Sequence, residues 1–187
     1  MNTLAMGVLV LVSIGACAGS VAQETDASAT AVAPPPPACA TDAAPYRDFD
    51  FWIGDWDVFD TADNVAGTNS ISRRENGCLL VEEWTGATGG SGTSLNFVDP
   101  ATGKWRQVWM SQGALIDYTG ELDDAGVMRL EGEITYNRTG QSLPFRGSWA
   151  LNADASVTQD FTQYNPETDA WDPWFTGIYK RQSKPDD

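Results

Sequence analysis

The stretch Phe51-Trp52-Ile53-Gly54-Asp55-Trp56-Asp57-Val58 decides how the rest of this 187-residue chain is read. Before it, residues 43–51 offer a turn or two of helix at most. From Asp55 onward apolar residues alternate with polar ones, or run short between turn signals, which is the period of strands. The segments are Asp55–Asp60, Gly67–Arg74, Cys78–Thr85, Thr93–Asp99, Lys104–Ser111, Leu115–Gly120, Val127–Ile134, Leu143–Leu151, Val157–Tyr164 and Trp171–Arg181. Turn chemistry separates them, as in Glu75-Asn76-Gly77, Asp123-Asp124-Ala125-Gly126 and Asn165-Pro166-Glu167-Thr168-Asp169. Strands joined by short turns make an antiparallel meander, and a long meander must close or leave exposed edges. The expected fold is therefore all-β, an antiparallel up-and-down barrel of about ten strands with one short N-terminal helix. A two-sheet sandwich is the alternative.

Outside this region the composition changes. Residues 1–22 carry no charged side chain and hold the apolar run Met6–Ile14, shorter than the ~20 residues of a membrane span. They read as a secretory signal peptide. Two exits compete: Ser20-Val21-Ala22 offers cleavage before Gln23, and Ile14-Gly15-Ala16-Cys17 resembles a lipobox that would lipidate Cys17. Residues 23–44, rich in Ala, Thr and Ser with four consecutive prolines at Pro34–Pro37, read as a disordered Ala/Pro-rich tether. All 20 aromatic residues lie from Tyr46 onward, so the folded domain is assigned to residues 45–182 and a tail to 183–187. Either exit places the domain outside the cytoplasm, in the periplasm or lipid-anchored in the cell envelope. In that oxidising compartment Cys39 and Cys78 are expected to pair, with two free thiols as the alternative.

From residue 45 onward 23 acidic side chains face 11 basic ones. Clustered Lys and Arg are what nucleic acid and anionic lipid reward, so neither is expected as a partner. The remaining route to a membrane is a lipid anchor at Cys17. The chain has no histidine, which removes Ser-His-Asp and Cys-His nucleophile systems, His-ligated zinc and His-ligated haem. No metal, cofactor or catalytic residue is assigned. Glu82-Glu83 and Asp123-Asp124 are adjacent pairs whose members point to opposite faces of a strand or sit in a turn, so neither can share a proton. The glycine-rich run 86–92 joins two strands and reads as a portal loop or plain hairpin slack.

Alternation groups Leu80 with Glu82 and Trp84, Ser94 with Asn96, Trp105 with Gln107 and Trp109, Arg146 with Ser148, Gln159 with Phe161, and Tyr179 with Arg181. Facing inward, these sets would build a mostly apolar pocket with a few orienting polar groups. Arg146 would anchor an anion, Asn96, Gln107, Gln159 and Tyr179 would orient, and Trp56, Trp84 and Trp109 would supply stacking area. The competing reading is a packed core in which Arg146 meets Glu82. A cavity under ~300 Å³ would favour a filled barrel, and an upshifted Glu82 beside an open cavity would favour an enzyme.

Taken together, the run Phe49–Val58, Gly77-Cys78 leading to Glu82-Glu83-Trp84, Gly92-Thr93-Ser94-Leu95-Asn96-Phe97 with Asp99-Pro100, Lys104-Trp105-Arg106-Gln107-Val108-Trp109, and Arg146-Gly147-Ser148-Trp149 with Gln159 resemble a family of exported bacterial proteins of unknown function. The likeness spans residues 45–182. More distantly the domain is similar to lipocalin-like (calycin) barrels, including fatty-acid-binding proteins and nitrobindin-type haem barrels. In such barrels a Gly-x-Trp step, here Gly54-Asp55-Trp56, opens the fold. The resemblance implies an indole at the closed end with a basic residue of Tyr179-Lys180-Arg181 across its face, a cation–π contact of about 0.5–2 kcal/mol. The haem function does not carry over, because the proximal histidine has no counterpart. The fatty-acid-binding group implies an inward Arg and Tyr holding a carboxylate, a part open to Arg146 and Tyr179. The function so implied is binding of a small apolar or amphipathic molecule. A cofactor-independent isomerase or lyase using Glu82 or Tyr179, and a structural envelope module with a filled barrel, are the alternatives.

Overall fold

The computed structural model describes Cys39 and residues 42–183. The signal peptide, the Cys17 lipidation site, most of the tether and the last four residues lie outside the described residues. Ten strands follow one another: β1 (Gly54–Phe59), β2 (Val65–Arg74), β3 (Leu79–Gly86), β4 (Ser91–Val98), β5 (Trp105–Ser111), β6 (Ala114–Leu122), β7 (Val127–Tyr136), β8 (Ser142–Leu151), β9 (Val157–Asn165) and β10 (Ala170–Arg181). Each pairs antiparallel with its sequence neighbours, and β1 pairs with β10 through Trp56↔Arg181 and Val58↔Tyr179. The sheet therefore closes into a barrel with no edge, which removes the sandwich alternative. All ten expected strands are present, their ends within two residues of the expected ones.

At the expected N-terminal helix the described residues hold one 3-10 turn and no α-helix. Residues 43–53 form successive i→i+3 turns, Tyr46 N–H to Ala43 O, Asp48 to Pro45, Asp50 to Arg47 and Trp52 to Phe49, ending in the single 3-10 turn Asp50–Trp52. Three residues per turn eclipse side chains at i and i+3. Phe49 and Trp52 accordingly stack with ring centroids 5.0 Å apart and an interplanar angle of 18°. Both are fully buried, and together they plug one end of the barrel. Phe49 meets Trp105 and Trp149 edge-on at 5.6 and 5.2 Å. Trp105 Nε1 donates to Pro45 O at 2.9 Å, and Trp56 Nε1 donates to Trp52 O at 2.9 Å.

The Gly-x-Trp step sits at this plugged end. Gly54 has φ +143°, where L side chains are strained, and a Cβ there would collide with Nη1 of Arg181. That guanidinium instead donates to Ile53 O at 3.1 Å and lies 4.3 Å from the centroid of the buried Trp56 ring. Cys39 and Cys78 form a disulfide with Cα atoms 4.8 Å apart. Arg47 fastens the same corner, donating from Nη2 to Cys39 O at 2.6 Å and from Nη1 to Gly77 O at 3.2 Å. On the chain-entropy account such a bridge contributes roughly 2–4 kcal/mol. Among the described residues no helix is long and apolar enough to cross a membrane.

Candidate functional site

The half of the barrel away from the plug encloses a cavity of ≈ 220 Å³. Its construction follows from strand period. On one strand after another, a polar residue is followed two positions toward the mouth by an apolar one: Glu82 by Trp84, Gln107 by Trp109, Gln159 by Phe161, and, running the other way, Tyr118 by Ile116. With Tyr179 beneath and Phe175 and Trp174 at the rim, the result is a polar floor under an aromatic wall. The wall is seated closely. Gly92 on β4 lies under Trp109, whose ring occupies the space a Cβ would need. Trp174 is 46 % exposed and marks the opening. The run 86–92 forms the tight β3–β4 turn at the same end, held by Gly86 N–H to Gly90 O at 3.0 Å and Ala87 N–H to Ala66 O at 2.9 Å.

The floor belongs to one hydrogen-bonded network. Tyr118 OH donates to Gln107 Oε1, and Gln107 Nε2 donates to Asn96 Oδ1. Asn96 Nδ2 then donates to Ser94 Oγ at 2.8 Å, and Ser94 Oγ donates to Glu82 Oε2 at 2.6 Å. From the other side Asn69 Nδ2 donates to Glu82 Oε1 at 2.7 Å and to Tyr179 OH at 3.2 Å, while Tyr179 OH donates to Gln159 Oε1 at 2.8 Å. Glu82 is where the donors converge. Burial pushes its carboxyl up to about 7, against the downward pull of the Ser94 and Asn69 hydrogen bonds. Burial, then the nearby Glu82 charge, push the Tyr118 and Tyr179 hydroxyls well above their usual range, so both stay neutral donors.

Of the expected ligand residues, Trp84, Gln107, Trp109, Gln159 and Tyr179 line the cavity. Asn96 is fully buried opposite Gln107 in the β4–β5 ladder, does not line the cavity, and acts through Gln107 and Ser94. Trp56 is fully buried in the plugged half and does not reach the cavity. Arg181 shares the parity of Tyr179 but sits beyond the lumen, against Trp56. Arg146 is the plain correction: it faces outward, 3.0 Å from Glu131 Oε1 and 3.8 Å above the Trp171 ring, with 43 % of its side chain exposed. Phe145, Gly147 and Trp149 are the inward residues of β8. Each of those two aromatics buries roughly 150–250 Å², and the same parity spares a guanidinium from burial. Two forces thus agree on the register. Replacing Arg146 with Met is accordingly expected to change stability by less than about 1 kcal/mol, as for other exposed ion pairs, and to leave probe binding untouched. A large loss of either, in urea melts or fluorescence titration, would contradict the outward placement.

Ile116, Tyr118, Trp174, Phe175 and Asn69 were not anticipated. The alternation Ala114, Ile116, Tyr118 carried the signal for two of them. Asn69 lies among Thr68 and Ser70, where only its shared parity with Ile71 points inward. No protein-family model matches the chain, and no curated protein matches it.

Proposed function

We propose that this chain is an exported, lipocalin-like binding barrel that takes one small amphipathic molecule into the mouth-half cavity. The observation that supports it is the layering of that cavity, aromatic wall above polar floor, around space inside a closed barrel. A filled structural barrel would have no use for a carboxylate and four further polar side chains around a void. The volume of ≈ 220 Å³ lies under the ~300 Å³ below which a filled barrel is the expected reading, so size alone favours the structural alternative; the polar floor is what argues for a ligand, and the volume limits its size. A cavity of about 150 Å³ admits benzene, so the fit here is about one ring with a short arm. Export by the signal peptide, with or without lipidation of Cys17, and kinship with the exported bacterial family belong to the same reading. The disulfide supports an oxidising compartment.

A second reading is favoured by one observation: Glu82 borders open space with its carboxyl raised to about 7, as a proton-transferring group would be. It corresponds to the isomerase or lyase alternative, with Glu82 rather than Tyr179 as the acid–base group.

Native mass spectrometry of protein purified gently from its host tests the binding reading. The expected result is one non-covalent adduct, lost on denaturation and returned unaltered. Conversion of the released molecule on re-incubation would favour the acid–base reading. Gly92→Ala should displace Trp109 and weaken rebinding at least tenfold, while costing the fold about 1–3 kcal/mol, the usual range for overpacking. An adduct that binds Gly92→Ala as well as the native chain, or no adduct and no fluorescence response to small aromatic probes, would sink the cavity as a binding site.

A further inference from the structure

Resting on the binding reading, we propose that the ligand is an organic cation: an ammonium group seated against the Glu82 carboxylate, with an apolar body against Trp84, Trp109 and Phe161. Among the described residues Glu82 is the sole charged side chain that is buried, at 4 % exposure. None of the ion pairs formed by described residues includes it. A carboxyl held in such a place either keeps its proton or meets a compensating positive charge. The protein supplies none from within the barrel, because Arg146 is outside and Arg181 is spent on Trp56.

The network is oriented for that charge. From Tyr118 through Gln107, Asn96 and Ser94 every hydrogen bond points the same way, donor toward Glu82, and Asn69 points at it from the opposite side. Successive aligned dipoles stabilise negative charge at their convergence. A carboxylate has about four lone-pair sites, and the two side-chain donors take two. Glu82 also lines the cavity, so an incoming N–H group can use what remains. Above it Trp84, Trp109 and Phe161 line the cavity, and aromatic faces attract cations. The chain's net charge of −15 draws cations to the opening and repels anions. A carboxylate ligand, the occupant that an inward Arg146 would have suited, meets like charge on this floor.

Capture should then depend on pH. Of the groups that face Glu82 from β2, β4, β5, β6, β9 and β10, only Tyr118 and Tyr179 titrate, and both are neutral throughout the accessible range. Binding of an ammonium needs Glu82 ionised. With its free-state value near 7, affinity should fall about tenfold per pH unit below that value and level off above it.

The test uses three probes of matched size on the purified chain: phenethylamine, phenethyl alcohol and phenylacetate. At pH 8 the amine is expected to bind at least tenfold more tightly than the alcohol, and phenylacetate least. Between pH 8 and pH 5 the amine should lose about a hundredfold in affinity, while the alcohol changes less than threefold. Glu82→Gln should erase the amine's advantage over the alcohol and its pH dependence. If the alcohol or phenylacetate binds and the amine shows no preference, the cation assignment fails while the binding barrel stands. If no probe binds at all, both fail. Should Glu82→Gln not fold, the probe ranking and pH profile of the native chain decide alone.

Discussion

Between pH 4 and pH 8 the ligand-free barrel is expected to lose roughly 3 kcal/mol of stability that a Glu82→Gln variant retains. The sign follows from where the proton resides. In the unfolded chain Glu82 ionises at its ordinary value of 4.5, whereas in the barrel burial holds its carboxyl at about 7. Between those values the native state binds more protons than the unfolded one, so raising the pH favours unfolding. The contribution is fully present below 4.5 and is lost as pH rises through 7. Exposed carboxylates act in the opposite direction: the hydrogen bonds of Asp60, Asp123 and Asp154 lower theirs, so falling pH removes their part. The difference between native and Glu82→Gln urea curves at the two pH values cancels those terms. Parallel curves would mean that Glu82 is not buried as described. A bound ammonium should restore the loss at pH 8 by mass action.

A change at the other end should cost more. Trp56→Ala is expected to destabilise the domain by about 3–5 kcal/mol, the range for truncating a buried tryptophan. The indole is fully buried, its Nε1–H satisfies Trp52 O, and its face carries the Arg181 guanidinium at 4.3 Å. Truncation leaves a void, an unpaired carbonyl and a cation without its platform. Arg181→Gln removes the cation–π contact and the hydrogen bond to Ile53 O and should cost about 1 kcal/mol. Urea midpoints with unchanged slope would measure both. A loss below 1 kcal/mol for Trp56→Ala would show that the plug does not depend on it. Trp56 does not line the cavity, but its ring packs edge-on against Tyr179 of the floor at 6.1 Å, so a Trp56→Ala protein that remains folded is expected to bind probes more weakly.

Strand order and closure were legible because two patterns agreed across the whole domain, alternation within strands and turn chemistry between them. Lumen assignments followed wherever the alternating residues differed sharply, as in Leu80, Glu82 and Trp84 or Gln107 and Trp109. They failed at β8, where Phe145 and Trp149 outweigh Arg146 but a reading in search of an anion anchor favoured the charged parity. The type of the short N-terminal helix was not legible, because the spacing of Phe49 and Trp52 fits both an α-turn and a 3-10 turn. Only their stacking against each other and against Trp149 selects the tighter one. The direction of the floor network was illegible in principle. It depends on which amide nitrogen faces which oxygen across strands, a property of register and rotamer that residue identity does not encode.

Both chain ends of the barrel leave from the plugged side. Gly54 begins β1 there, the Cys39–Cys78 bridge pins the preceding segment there, and Gln182 N–H still pairs with Asp55 O at 3.0 Å. A surface joined directly at either end of the folded domain, at Cys39 or Gln182, would therefore meet its closed base and leave the Trp174 rim facing bulk solution. Coupling at either of those domain ends should give the same on-rate for a diffusing solute, whereas coupling through the 86–92 turn should obstruct it.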